Sequence, residues 1–313
     1  MKRWEKFEPL TAGEQSAWDE DGYVLLRNVF SAPEVQRILA AADRLEDRCR
    51  GLELSSGEAF ERVNIIEDDD TFLNLIDHPR ILGAAIDLMG AAIHLLVSTI
   101  TFRPSLSVPA IRWHTDDPSP YFFPRINGMC PVWQVKIAIY LTDILESDMG
   151  NFVAAAGSHQ IGFPPIEERW RGVLSKDRYR SVPEIVTAVP DARQVTAQAG
   201  DVLLFHPALW HTVAPNHSGR TRKNIWFVYG PLWMRLGDRI ASDPALIERC
   251  DPIRRQLLGA TVGGQRSYLA PHDEGAPLIR ACEGQGYEEI WQRSLEELLT
   301  EWWSSASARK RGT

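Results

Sequence analysis

Two imidazoles and one carboxylate on a single ion leave a ferrous centre with open positions for oxygen. The chain carries such a set. His114 and Asp116 stand two residues apart in RWHTDD, and His211 follows far downstream. Eleven residues after His211 comes Arg222, inside HTVAPNHSGRTRKN. A guanidinium grips a carboxylate through two parallel hydrogen bonds, so a following arginine suits a dicarboxylate co-substrate. One constellation thus proposes metal, oxidant and co-substrate together.

The elements around these residues must bring them together. Residues i and i+2 of a strand point the same way. His114 and Asp116 can therefore share a face, with Asp117 turned away. An HxD match alone is equally a polar surface turn. His211 follows GDVLLFHPALW, a turn feeding a strand, and can arrive from a facing strand. His206 is its rival, on the opposite side if the strand stays regular. Arg222 precedes the apolar run NIWFVYG, with Arg220 and Lys223 as competitors for its role. His78, His94, His159, His217 and His272 read as surface or satisfied core histidines.

Outward from the site, the pattern predicts helices flanking a β region. Thr11 caps a short helix through Trp18, Asp21-Gly22 makes a turn, and YVLLRNVF reads as a strand. Ser31-Ala32-Pro33-Glu34 is a capping box opening a helix to about Arg50, with Val35, Ile38, Leu39 and Leu45 on one face. A second helix spans Pro79–Met89 and stops at Gly90. HLLVSTITFRP, QVKIAIYLTD, FVAAAG, RQVTAQ, DVLLFH and KNIWFVYG are short apolar or alternating segments, as in an antiparallel barrel or sandwich. Residues 160–190 form a long polar connection of the kind that makes a lid or binding loop. Helices return near Leu246–Leu258 and Tyr287–Trp303, followed by a basic tail at 305–313. We expect one domain over 1–313: a flank to about 92, a β core of about 93–235 and a helical segment of about 240–304.

Composition narrows the function. A net charge of −8 and a pI near 5.6 argue against a nucleic-acid partner. No apolar run approaches the roughly 20 residues of a membrane helix, and MKRWEKFEPL is too charged for a signal peptide. Cys49, Cys130, Cys250 and Cys282 form no CxxC pair or zinc spacing, and read as reduced thiols of a cytoplasmic protein. Eleven tryptophans point to an aromatic interior or pocket.

At this level of detail most of the chain resembles the phytanoyl-CoA dioxygenase family, a branch of the iron(II)/2-oxoglutarate-dependent oxygenases. DEDGYVLLRNVFSAPEV is similar to the family's first strand and helix, and HPRILGAAIDLMG to its second helix. WHTDD matches the HxD motif. LTDILESDMGNFVAAAGSHQIG resembles the block ending in Gly-Ser-His, and GDVLLFHPALWHTVAPNHSGRTRKN the distal block. The resemblance implies a double-stranded β-helix, a distorted jelly roll related to cupins. It implies His114, Asp116 and His211 as iron ligands and Arg222, chosen over Arg220 by spacing, as the 2-oxoglutarate anchor. Thr99 falls near a further co-substrate contact. Val213 stands where many members have Ser, and Ile139 roughly where some have a cofactor-contacting Trp.

The same resemblance implies the chemistry: three iron positions for 2-oxoglutarate and O2, succinate and CO2 as products, and oxidation of a substrate C–H bond. Related halogenases lack the carboxylate, so Asp116 favours hydroxylation, desaturation or cyclisation. Trp113, Tyr121, Phe122, Phe123 and Trp133 lie where members often build the substrate pocket, and fit a partly apolar small molecule. Arg169, Arg171, Lys176, Arg178 and Arg180 make the connecting stretch basic, which reads as a solvated loop face. Two other readings compete: a silent jelly-roll binding protein that has kept its metal site, and a cupin-like metalloenzyme without 2-oxoglutarate. Arg222 argues against both.

Overall fold

The computed structural model describes residues 7–53, 59–105, 111–116, 130–161, 189, 192–260 and 278. Asp117, Tyr121, Phe122, Phe123, the basic residues 169–180, His272, Cys282 and the helix expected at Tyr287–Trp303 lie outside them.

The helical flank follows its capping signals. α1 (Ala12–Asp21) begins where Thr11 and Glu14 bond each other's backbone N–H groups, and ends at Gly22 in the left-handed region, φ 79°. It runs past Trp18, because Gly22 and not the last buried residue stops it. β1 (Tyr23–Leu26) is shorter than YVLLRNVF suggests. α2 (Ala32–Glu53) opens on Ser31, whose N–H and hydroxyl both reach Glu34. Its Val35, Ile38 and Leu45 are buried. β2 (Phe60–Val63) and the one-turn α3 (Asp70–Leu73) carry no clear periodicity. α4 (Pro79–Met89) has the bounds its Pro and Gly predict.

The β region forms two antiparallel sheets. The larger contains β1, β2, β3 (Ile93–Arg103), β5 (Val135–Tyr140), β8 (Val202–Phe205) and β10 (Arg222–Pro231), in the order β1-β8-β5-β10-β3-β2. The smaller has the order β4-β9-β6-β7, with β4 (Ile111–His114), β6 (Phe152–Ala154), β7 (Arg193–Gln194) and β9 (His211–Val213). Short helices Pro244–Glu248 and Pro252–Leu257 replace the single helix expected there. Asp251 caps the second, which explains the break.

Strand alternation divides the large sheet into two faces. Val135, Ile137, Ile139, Val202, Leu204, Ile225, Phe227 and Tyr229 pack against the helices in one continuous apolar cluster. Full burial of each such side chain contributes about 1.5–3 kcal/mol. Ala138, Tyr140, Leu203 and Phe205 face the other way and meet Phe152 and Ala154 of the small sheet. The second face is only partly apolar; Arg222, Asn224 and Thr101 also lie on it. Among the described residues no helix is long and apolar enough to cross a membrane.

One turn fixes the strand that leads to His211. The buried Asp201 carboxylate accepts the backbone N–H groups of Asn28 and Gln198 at 2.8 and 2.9 Å, and an Arg27 N–H at 2.8 Å. Gly200 beside it has φ 98°, and a Cβ there would lie 2.4 Å from the Phe30 carbonyl oxygen. Asp201→Ala removes the acceptor of two part-buried backbone N–H groups and should cost about 1–3 kcal/mol in urea unfolding. Arg27→Ala removes a partner whose side chain is 56% exposed and should cost under about 1 kcal/mol. Equal losses would remove Asp201 as the pin of this turn.

Candidate active site

His114 and His211 are cross-strand partners in the β4–β9 register. Directly opposed residues of antiparallel strands project to one face, which brings the imidazole centroids to 4.2 Å. The strand argument for Asp116 holds only in part: β4 ends at His114, and Asp116 lies beyond it in a bend. The bend nevertheless returns its carboxylate to the histidines. Asp116 Oδ1 is 3.6 Å from His114 Nε2, and Oδ2 is 3.5 Å from His211 Nε2. Each residue offers one donor atom, all within 4.8 Å of one another. Adjacent ligands of an ion with bonds of about 2.1 Å sit about 3 Å apart, so these donors need only close slightly.

The protonation states suit a cation. His211 is buried, and burial is the main cause that pushes its pKa down to about 4. Its Nδ1–H donates to the Leu209 carbonyl at 2.9 Å, which leaves the Nε2 lone pair toward Asp116. Phe152 stacks on the ring at 5.1 Å and Phe205 flanks it at 4.8 Å. Burial alone would raise Asp116, but His211 and Lys136 hold its pKa below the usual value. With His211 neutral, the standing cation is the Lys136 ammonium, 3.0 Å from Oδ2. His206 is turned elsewhere: it packs against Trp18 and His159, and its Nδ1 accepts the Ala208 N–H at 3.0 Å.

The triad opens on a cavity of about 280 Å³ between the sheets, lined also by Thr99, Thr101, Arg103, Lys136, Arg222 and Trp226. Arg222 is 3% exposed. Its Nε donates to Asn224 Oδ1 at 3.2 Å, its NH1 donates to the Gly150 carbonyl, and its guanidinium lies 5.9 Å above the Trp226 ring. Burial, then the charge of Arg103 directly across β3, lowers its pKa to about 10. Among the described residues no carboxylate pairs with it. Beside it, Tyr140 Oη and Asn224 Nδ2 are buried without a hydrogen-bond partner. Tyr140 and Asn224 are register partners across β5 and β10. Two donors beside the arginine thus lack an acceptor. The rival cations face away: Arg220 is exposed, and Lys223 pairs with Asp43 at 2.5 Å and Glu46 at 3.6 Å.

Thr99 lines the cavity opposite Trp226 on β10. Val213 lines it as well, whereas Ile139 packs on the helix-covered face and Ala138 is the inward residue. Ile139 therefore does not face the cavity. Trp113 is buried and Trp133 packs edge-on against Trp233 at 5.4 Å, both away from the described cavity lining. Lys136, Tyr140, Asn224, Trp226 and Gly150 escaped the sequence reading. The signal for four of them was alternation, since 136, 138 and 140 share a face of QVKIAIY, and 222, 224 and 226 share one of RKNIWF. Gly150, φ 78°, brings its carbonyl to Arg222, and a Cβ there would meet Arg222 Cδ at 3.2 Å.

Comparison with known proteins assigns the chain to a family. The phytanoyl-CoA dioxygenase (PhyH) family model matches residues 18–224, well over half of the chain. The chain therefore belongs to the phytanoyl-CoA dioxygenase family and is an iron(II)- and 2-oxoglutarate-dependent dioxygenase. It is 25% identical over 240 residues to an ectoine dioxygenase of Bordetella parapertussis, covering 71% of this chain and 76% of that protein. It is 24% identical over 243 residues to L-proline trans-4-hydroxylase of Streptomyces griseoviridis, covering 73% and 86%. Its fold is similar to that of HygX from Streptomyces hygroscopicus with nickel and 2-oxoglutarate bound, with a TM-score of 0.58, 21% identity, and 72% and 89% of the two chains covered.

Removing the unpartnered hydroxyl should relieve the protein when no ligand is present. Tyr140→Phe is expected to stabilise the metal- and co-substrate-free protein by about 1 kcal/mol in chemical unfolding. A loss of stability of that size would mean that the hydroxyl already has its partner within the fold.

Proposed function

We propose that His114, Asp116 and His211 bind iron(II), and that Arg222, helped by Tyr140 and Asn224, holds the distal carboxylate of 2-oxoglutarate. The observation that carries this reading is a buried guanidinium that has no acid partner among the described residues and lines the same cavity as a His-Asp-His cluster, with the orphan donors of Tyr140 and Asn224 beside it. A buried cation without a counter-charge is costly, and a bound carboxylate removes that cost. The two sheets are read as a double-stranded β-helix within a single oxygenase domain over 1–313, and Thr99 as a polar neighbour of the co-substrate.

Bound iron and 2-oxoglutarate supply the oxidation, in which O2 is consumed, 2-oxoglutarate leaves as succinate and CO2, and a substrate C–H bond is oxidised. The side chains do the rest. His211 stays neutral through burial and keeps its Nε2 lone pair available. Its bond to Leu209 fixes the ring. Phe152 and Phe205 wall the triad and limit water, so that turnover stays coupled to substrate. Asp116 would supply the carboxylate ligand that related halogenases lack, which favours hydroxylation, desaturation or cyclisation over halogenation. The substrate is a small metabolite, as the names of the ectoine and proline relatives suggest, and the aromatic walls of the cavity fit a partly apolar one. A silent binding protein would have no use for the acid-free Arg222 pocket, and a cupin-like enzyme without 2-oxoglutarate would not need it either.

Substitution separates the two halves of the site. Asp116→Ala should abolish iron-dependent succinate release while Arg222→Met keeps iron, measured by metal analysis, and loses about 100-fold in 2-oxoglutarate affinity by calorimetry. Full activity in Asp116→Ala would remove it from the metal set. Unchanged affinity in Arg222→Met would remove the arginine as anchor.

A further inference from the structure

The inner face of the large sheet is a ladder of rows, and each of its two ends carries a cation. Arg222 stands opposite Arg103; Asn224 lies between Thr101 and Tyr140; Trp226 lies between Thr99 and Ala138; Val228 lies between Val97 and Lys136, with Phe205 beyond. Each row advances two residues, about 6.7 Å, so the backbone at Lys136 is about 20 Å from that at Arg222. An anchor for the distal carboxylate at the Arg222 end leaves Lys136 free of that task. Lys136 lines the same cavity, and its ammonium lies 3.0 Å from Asp116 Oδ2.

Asp116 is the acid that faces Lys136, and in the working enzyme that carboxylate is committed to a divalent ion. An ammonium left beside a metal centre needs a further anion. Glu61 also lines the cavity, but it sits on β2, three strands from β5 and so about 14 Å across the sheet. The row around Lys136 is otherwise apolar, made by Val97, Val228 and Phe205. We propose that Lys136 binds the carboxylate of the primary substrate, and that the substrate class is a small carboxylic acid with an apolar body lying along Val97, Val228 and Phe205. This rests on the co-substrate assignment above. It places the acid group beside the metal, with the carbons next to it in reach of oxidation.

The test uses the full chain, loaded anaerobically with Fe(II) and first titrated with 2-oxoglutarate in a calorimeter. That step failing in the wild type would overturn the co-substrate assignment itself. The loaded protein is then titrated with L-proline, cyclohexanecarboxylate and phenylacetate, and with the primary amide of each. We expect at least one acid to bind roughly tenfold or more tightly than its amide. Lys136→Met should erase that preference and Lys136→Arg should keep it, with 2-oxoglutarate bound in both. Wild-type protein that takes none of the acids, or takes acid and amide alike, overturns the proposal. So does an acid preference that survives in Lys136→Met. Loss of 2-oxoglutarate binding in Lys136→Met, with folding intact by circular dichroism, would instead give the lysine to the co-substrate.

Discussion

A guanidinium buried without an acid partner among the described residues is the constraint around which the rest of this structure is arranged. Arg222 is almost fully enclosed, and the cation across the ladder from it is another arginine. Among the described residues the partners it has are neutral, the Gly150 carbonyl and the Asn224 side-chain oxygen, together with the face of Trp226. Such an arrangement persists because the surrounding sheet is stable enough to hold it. The apolar face of that sheet, packed on α1, α2 and α4, provides the stability. The opposite face is thereby free to carry groups chosen for chemistry.

The His-Asp-His cluster depends on the same division of labour. His114 and His211 meet because β4 and β9 pair in a register that sets them opposite each other. Asp116 joins them from a bend, outside regular pairing, where the chain is freer to adjust the carboxylate. His211 is kept neutral by burial and is fixed by one backbone hydrogen bond. Both halves of the site then open into one cavity, which is what a reaction that couples a metal, a dicarboxylate and a substrate requires.

Much of this was legible in the sequence, and the parts that were not have physical reasons. Capping residues located α1, α2 and α4, since Thr11, Ser31 and Pro79 act through bonds within a few residues. HxD, the distal histidine and the spacing to Arg222 marked the site. Asp116 was chosen for a strand parity that the chain does not keep, because β4 ends two residues earlier. Tyr140 and Asn224 were invisible as a pair: their meaning lies in the register of β5 against β10, a long-range property that no local window contains. Closeness in sequence to the motif points to Trp113 and Trp133, but neither is among the described residues that line the cavity, because their burial and packing are set by distant contacts. Phe122 lies outside the described residues.

Family membership and the geometry therefore meet on a single claim, that the acid-free Arg222 pocket and the His-Asp-His cluster form one binding site for iron and 2-oxoglutarate. Anaerobic visible spectroscopy tests that claim most directly. Addition of 2-oxoglutarate to the Fe(II)-loaded protein should produce a metal-to-ligand charge-transfer band that saturates at one equivalent of co-substrate per site. A folded, iron-loaded protein that shows no such band would contradict the account.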